Sequence, residues 1–232
     1  MREIFEEAAI TYYQEAGNLL LIAAPAVVLG PILVLVAGAS LPVAVAVVPI
    51  FLVLYLVAYA ACVRAAGFVL TNLAPDPGRA YLDVALNGRF LLGPVAPAGL
   101  LLAAVVDATL VMTHEGAWFM AIPVIVLAFG ALILWSARHA YDLPLLVAHD
   151  VPAHEVNQIA PQLTRLGESW NLSLVAILAA PLALGALICW GLAALVTAPF
   201  GGALFALIVA LWLPYPALVL TETSTRLAGE LG

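Results

Sequence analysis

Three of the four histidines, His139, His149 and His154, fall in one polar segment between two long apolar runs, together with Asp142, Asp150 and Glu155. These are ligand types for zinc or another transition metal. Their spacing argues against a site. His149 and His154 stand five apart, about 140° around a helix, whereas the HExxH pattern sets its ligands four apart on one face. The pair His154-Glu155 also has no second histidine to complete that pattern. The segment therefore reads as a solvated interfacial face, with no metal and no cofactor expected.

A second candidate is Asp107, in LLLAAVVDATLVM, a carboxylate inside an apolar run. An ionisable group in such a place is costly and normally faces a cavity or a partner, which makes it a candidate for an ion or proton pathway. It is six residues from Thr113, about 9 Å along a helix, so it equally reaches the outer interface or stays protonated against Thr109 or Thr113. Arg138 and Asp142 are four apart and can pair along one helix face. Arg64 and Glu222 occupy comparable positions at the ends of other apolar runs. These four charges read as interfacial anchors, or more sharply as an inner gate that pairs when closed.

No catalytic signature accompanies them: there is no GxSxG, no phosphate-cradling GxxxxGK(S/T), no CxxC and no lysine at all. Cys62 and Cys189 sit inside apolar runs, where cysteine acts as a small hydrophobe.

The elements that must position these residues are set by composition. The chain is 66% hydrophobic and only 9% charged, against roughly 25% charged residues in a soluble domain. It reads as an all-α integral membrane protein forming a single polytopic domain over 1–232. Its net charge of −7 excludes nucleic acid as a partner. The acidic N-terminus, with Glu3, Glu6, Glu7 and Glu15, lacks the positive start of a secretory signal, so no cleavage is expected.

A helix needs about 20 apolar residues to cross the hydrocarbon core. Six runs supply them, at about 17–38, 42–63, 91–113, 117–137, 172–197 and 201–221. The connections GASLP, HEGA and PFG allow only tight turns, so the six spans are expected as a bundle of three hairpins. All seven arginines fall on one side of that arrangement. By the positive-inside rule both termini are then cytoplasmic.

Each hairpin is introduced by an amphipathic segment: the stripe of Ile4, Phe5, Ala8 and Tyr12, the stretch PGRAYLDVALNGRF from Pro77, and the stripe of Val156, Ile159, Leu163, Leu166 and Trp170. The last has Asp150 as its expected cap and Pro161 as an expected kink or break. Such helices lie on the inner leaflet or cover the mouth of the bundle. The ends of the second, fourth and sixth runs, YAACVRAAG, YDLPLLVAHD and YPALVLTETS, echo one another from Tyr59, Tyr141 and Tyr215.

The pattern from Tyr141 to about 185, an aromatic span end, LPLLVAHDVPAHEV, a leucine-bearing helix and Ser169-Trp170-Asn171 leading into an apolar run, resembles the membrane domain of bacterial glycerophosphodiester phosphodiesterases and its stand-alone multi-span relatives. The resemblance implies a helical fold of about six spans in a bacterial inner membrane and no reaction, since no catalytic residue carries over. The chain is expected to be a non-enzymatic scaffold or accessory subunit whose partners are the lipid bilayer, other membrane proteins or its own copies. A small transporter or channel with Asp107 in the pathway is the alternative, and a lipid-modifying intramembrane enzyme the third reading.

Overall fold

The computed structural model describes residues 2–86, 104, 108, 112, 118–195 and 198–231, all helices and the turns between them. The helices are α1 (Arg2–Gln14), α2 (Ala16–Ala37), α3 (Leu41–Leu70), α4 (77–86), α5 (Trp118–Arg138), α6 (Ala153–Leu166), α7 (Glu168–Leu195), α8 (Ala198–Trp212) and α9 (Pro214–Leu231). A single π turn, Pro144–Ala148, leads from α5 toward α6.

Among the described residues, four helical stretches are long and apolar enough to cross a membrane: Ala16–Ala37, Leu41–Leu70, Trp170–Cys189 and Pro199–Glu230. The apolar part of α5, Pro123–Arg138, is shorter. The expected span at 91–113, with Asp107, and the HEGA turn lie outside the described residues. Leucine, isoleucine and valine side chains such as Leu21, Ile32, Ile50, Val126 and Leu187 stand exposed on these helices. That suits a chain whose solvent at this level is lipid, because apolar side chains need no protein cover there.

Helix α2 turns at Gly38–Ser40 into α3, and the two pack along each other, as do α2 with α8 and α7 with α8. Near the middle of the bundle, Tyr55 crosses to α8 and donates to the Ala206 carbonyl at 2.5 Å. It lies against Gly30 of α2, where any larger residue would collide with its ring.

The helices depart from the expected runs where tertiary partners intervene. The second run ends at 63, but α3 continues to Leu70. The added turns are apolar apart from Arg64, and that charge finds acidic partners. The sixth run, read as one span over 201–221, lies within the single stretch Pro199–Glu230, whose helix is interrupted at Leu213 because Pro214 has no N–H to donate back to the preceding turn. Helix α9 then runs on to Leu231 against α1 and α3. Pro161 does not split its helix, and α6 is continuous through it with Val156, Ala160 and Leu163 buried on one face. That packing outweighs the one backbone bond that the proline removes.

Most of the buried core gathers at the end of the bundle that carries both termini. It joins Leu19 and Ile22 of α2, Ala60–Ala66 of α3, Tyr141–Val147, Leu163 of α6, Leu174 of α7 and Val219 of α9. The three segments that begin at Tyr59, Tyr141 and Tyr215 meet here, as the lower part of α3, the π turn and the start of α9. Gly67 allows their close approach: a Cβ at this position would lie 3.0 Å from the Ala148 carbonyl oxygen and 3.1 Å from its Cα.

Candidate functional site

Arg64 projects from the lower part of α3 between the fully buried Val63 and Ala65. Its Nε donates to Asp83 of α4 at 2.7 Å, and its Nη1 donates to the Val147 carbonyl and to Asp150 Oδ2, both at 2.9 Å. The guanidinium also lies 4.9 Å from the Phe68 ring centroid, which Arg79 approaches at 5.2 Å. Only 12% of the Arg64 side chain is exposed. A cation so placed is tolerable only when its donors are satisfied, and charge-assisted bonds do this best. Arg64 thereby ties α3, α4 and the π turn together. Asp76 helps to hold α4 in place by accepting from the Gly78 N–H at 2.9 Å, and Tyr81 of α4 donates to the Ile22 carbonyl at 2.6 Å.

Asp150 was expected to cap α6. The structure places its carboxylate on Arg64 instead, and its backbone in the left-handed region at φ 53°. Aspartate is among the few side chains that adopt that conformation readily. Helix α6 starts from Pro152 with no side-chain cap.

His149 points the other way, with Nε2 at 3.0 Å from the Ser224 hydroxyl of α9. Ser224 gives its own proton to the Thr221 carbonyl at 2.7 Å, so Nε2 is the donor in the histidine–serine bond. Burial pushes the His149 pKa down, with Asp150 partly offsetting it. His154 is exposed on α6 beside Glu155. The histidine and acid island is thus drawn apart: His149 goes to α9, Asp150 to α3 and His154 to the surface. Among the described residues, no group of three or more His, Cys, Asp or Glu side chains could hold a metal ion.

The four charges read as one inner cluster also have separate partners. Asp142 accepts from or pairs with His139 Nδ1 at 2.8 Å rather than with Arg138. An i,i+4 pair needs a helix through residue 142, but α5 ends at Arg138 and the chain turns over 139–141. Glu222 accepts from Arg226 Nε at 2.8 Å, and Arg226 reaches Glu7 of α1 with its other end. Arg138 has no acidic partner among the described residues. Of the α6 stripe, Val156 and Leu163 are buried and Ile159 packs against the core. Leu166 is exposed, and the half-buried Trp170 sits on α7. The stripe therefore faces protein at the mouth of the bundle.

Two polar residues that the sequence did not single out for chemistry complete this end. The buried Tyr141 hydroxyl donates to Asn171 Oδ1, whose Nδ2 donates to the Thr164 carbonyl at 3.1 Å. Thr164 in turn donates to the Arg138 carbonyl at 3.2 Å. The readable signal was Asn171 itself, an amide at the start of an apolar run and next to Trp170.

Above this polar level lies a groove of about 340 Å³ between α3, α5, α7 and the α8–α9 junction. Its walls are apolar, with Leu56, Phe129, Ile133, Leu178, Leu182 and Trp212 among them, and Ser136, His139 and Asp142 line it with polar groups. Trp135 stacks on the His139 ring at 4.6 Å. Burial pushes the Asp142 carboxyl above the ordinary range, while His139 pulls it partly back. The arrangement can accept an amphiphile, apolar along its length and polar at one end. No protein-family model, no curated protein and no solved structure matches this chain.

Proposed function

We propose that this chain is a non-enzymatic polytopic protein of the bacterial cell membrane, a scaffold or accessory subunit that works through its contacts with lipid and membrane partners. In this reading it has six spans in three hairpins, with both termini cytoplasmic, and is a distant relative of the phosphodiesterase membrane domain through residues 141–185. One observation carries the functional part. The side chains best suited to chemistry, Arg64, Asp150, His149, Tyr141 and Asn171, are engaged with one another or with backbone as ties between helices. The groove and the span faces, by contrast, are apolar and open. The orientation rests on the seven arginines, all on the side of the termini in the six-span arrangement.

Purification of the full chain in native-membrane discs, followed by lipid and protein identification and by flux assays in liposomes, tests the proposal. Lipid or a partner polypeptide retained at fixed stoichiometry, with no solute or ion flux, is expected. Flux that Asp107→Asn abolishes would establish the transport alternative, and turnover of a lipid head group would establish the enzyme.

A further inference from the structure

The groove has a definite length and a charged end. From Phe129 of α5 to His139, just past its end, is ten positions, about 15 Å at the helical rise, or half of the roughly 30 Å hydrocarbon core. That length equals the depth of one leaflet, and the polar groups lie at one end of it.

Charge at that end is unusual for so acidic a chain. Arg2, Arg64 and Arg226 are each paired with carboxylates. Arg79 lies over Phe68. Among the described residues Arg79, Arg138 and Arg165 have no acidic partner, and the last two belong to neighbouring backbone, because Thr164 of α6 bonds the Arg138 carbonyl. Arg138 directly precedes the groove-lining His139. Asp142, the carboxylate at this position, is already engaged by His139 Nδ1, and that bond leaves the other ring nitrogen, Nε2, open to a further hydrogen bond.

We propose that the groove holds one acyl chain of an anionic glycerophospholipid from the leaflet nearest the termini, with its phosphate at Arg138 and His139. The assignment rests on the lipid-contacting reading above and gives it a site and a lipid class. The apolar walls bury the chain. The guanidinium and imidazole donors select the phosphate of a lipid with net negative charge over a zwitterionic one, whose own cation they repel.

The test uses the full chain in nanodiscs that contain acyl-chain-brominated phosphatidylglycerol or brominated phosphatidylcholine at equal mole fraction, read by tryptophan quenching through Trp135 and Trp212 at the groove. Stronger quenching by the anionic lipid is expected. Arg138→Gln should reduce the preference about fivefold, the value of one arginine near an anionic surface, and His139→Gln should reduce it further. His154→Gln, remote on α6, should leave it unchanged. Leu178→Trp, which fills the groove, should release the lipid retained in native mass spectrometry. Equal quenching by the two lipids, or a preference unmoved by Arg138→Gln and His139→Gln, overturns the proposal. So does a photo-crosslinker at Ile133 that attaches to residues 91–113 or to a second copy in place of lipid. These outcomes leave the scaffold reading standing, whereas flux or turnover would remove that reading whichever lipid is preferred.

Discussion

The two ends of the bundle are built on different rules. At the end that carries both termini, helices are held by buried apolar side chains and by directed polar bonds: Arg64 to Asp83 and Asp150, Tyr141 to Asn171, and His149 to Ser224. Toward the opposite end, the described helices expose leucine, isoleucine and valine, and the core shrinks to a small cluster of Ala26, Tyr55, Ala58, Ala206 and Ala210. Lipid provides no hydrophobic force between spans, so that region relies on small residues and close packing. Polar ties are worth most where several backbone segments with different directions must be fixed together.

The sharpest way to break this contrast is Arg64→Met. Removing one partner of a mostly buried ion pair costs about 3 kcal/mol or more, and thermal unfolding in detergent should register it as the largest single loss. Asp83→Asn should account for more of that loss than Asp150→Asn, since Asp150 is 62% exposed and screened. Equal effects would place the tie elsewhere.

A glycine pair sharpens it next. Gly67→Ala presses a methyl into the Ala148 backbone and should cost about 1–3 kcal/mol. Gly130→Ala in α5 meets nothing within 4 Å, and should be neutral or stabilising by up to about 1 kcal/mol through helix propensity. The same melting experiment decides both. A comparable contrast separates two tyrosines. Tyr141→Phe strands the buried Asn171 carbonyl and should cost about 1–3 kcal/mol. Tyr55→Phe removes a bond between spans and should cost about 0.6 kcal/mol.

His149 makes the terminus-bearing end sensitive to pH. Burial holds its pKa in the fold below the unfolded value of 6.5. As pH falls through 6.5 the unfolded chain takes up a proton that the fold resists, so stability is full above that value and declines below it toward the folded pKa. His149→Gln should flatten the decline below pH 6.5 in denaturation profiles. The smallest effect belongs to the lipid-facing surface: Leu127→Ala should shift stability by about 0.5 kcal/mol or less, within the range of unpacked surface changes.

The apolar runs were legible because length and hydropathy alone nearly determine a span, and the runs at 17–38, 42–63, 172–197 and 201–221 overlap the four described stretches long and apolar enough to cross a membrane. The stripe of α6 was legible for a similar reason, since its period of three and four residues is local. The polar ties were not. Asp83 and Asp150 lie 19 and 86 positions from Arg64, and nothing in a window around any of the three residues names the other two. The i,i+4 rule paired Arg138 with Asp142 because it assumes an unbroken helix, and the turn after α5 gave Asp142 to His139.

By itself, then, the sequence determined that the chain is helical, apolar enough to lie in a membrane, and that its arginines lie outside the apolar runs. Tertiary structure alone decided that α3 extends to Leu70, that α9 packs on α1 and α3, and that the island HDVPAHEVNQIAPQLTRLGESW is pulled apart, with His149 on Ser224 and Asp150 on Arg64. Hydrophobicity and helical period depend on neighbours along the chain. The satisfaction of a buried charge depends on whichever donors and acceptors the fold brings within reach, and only packing selects them.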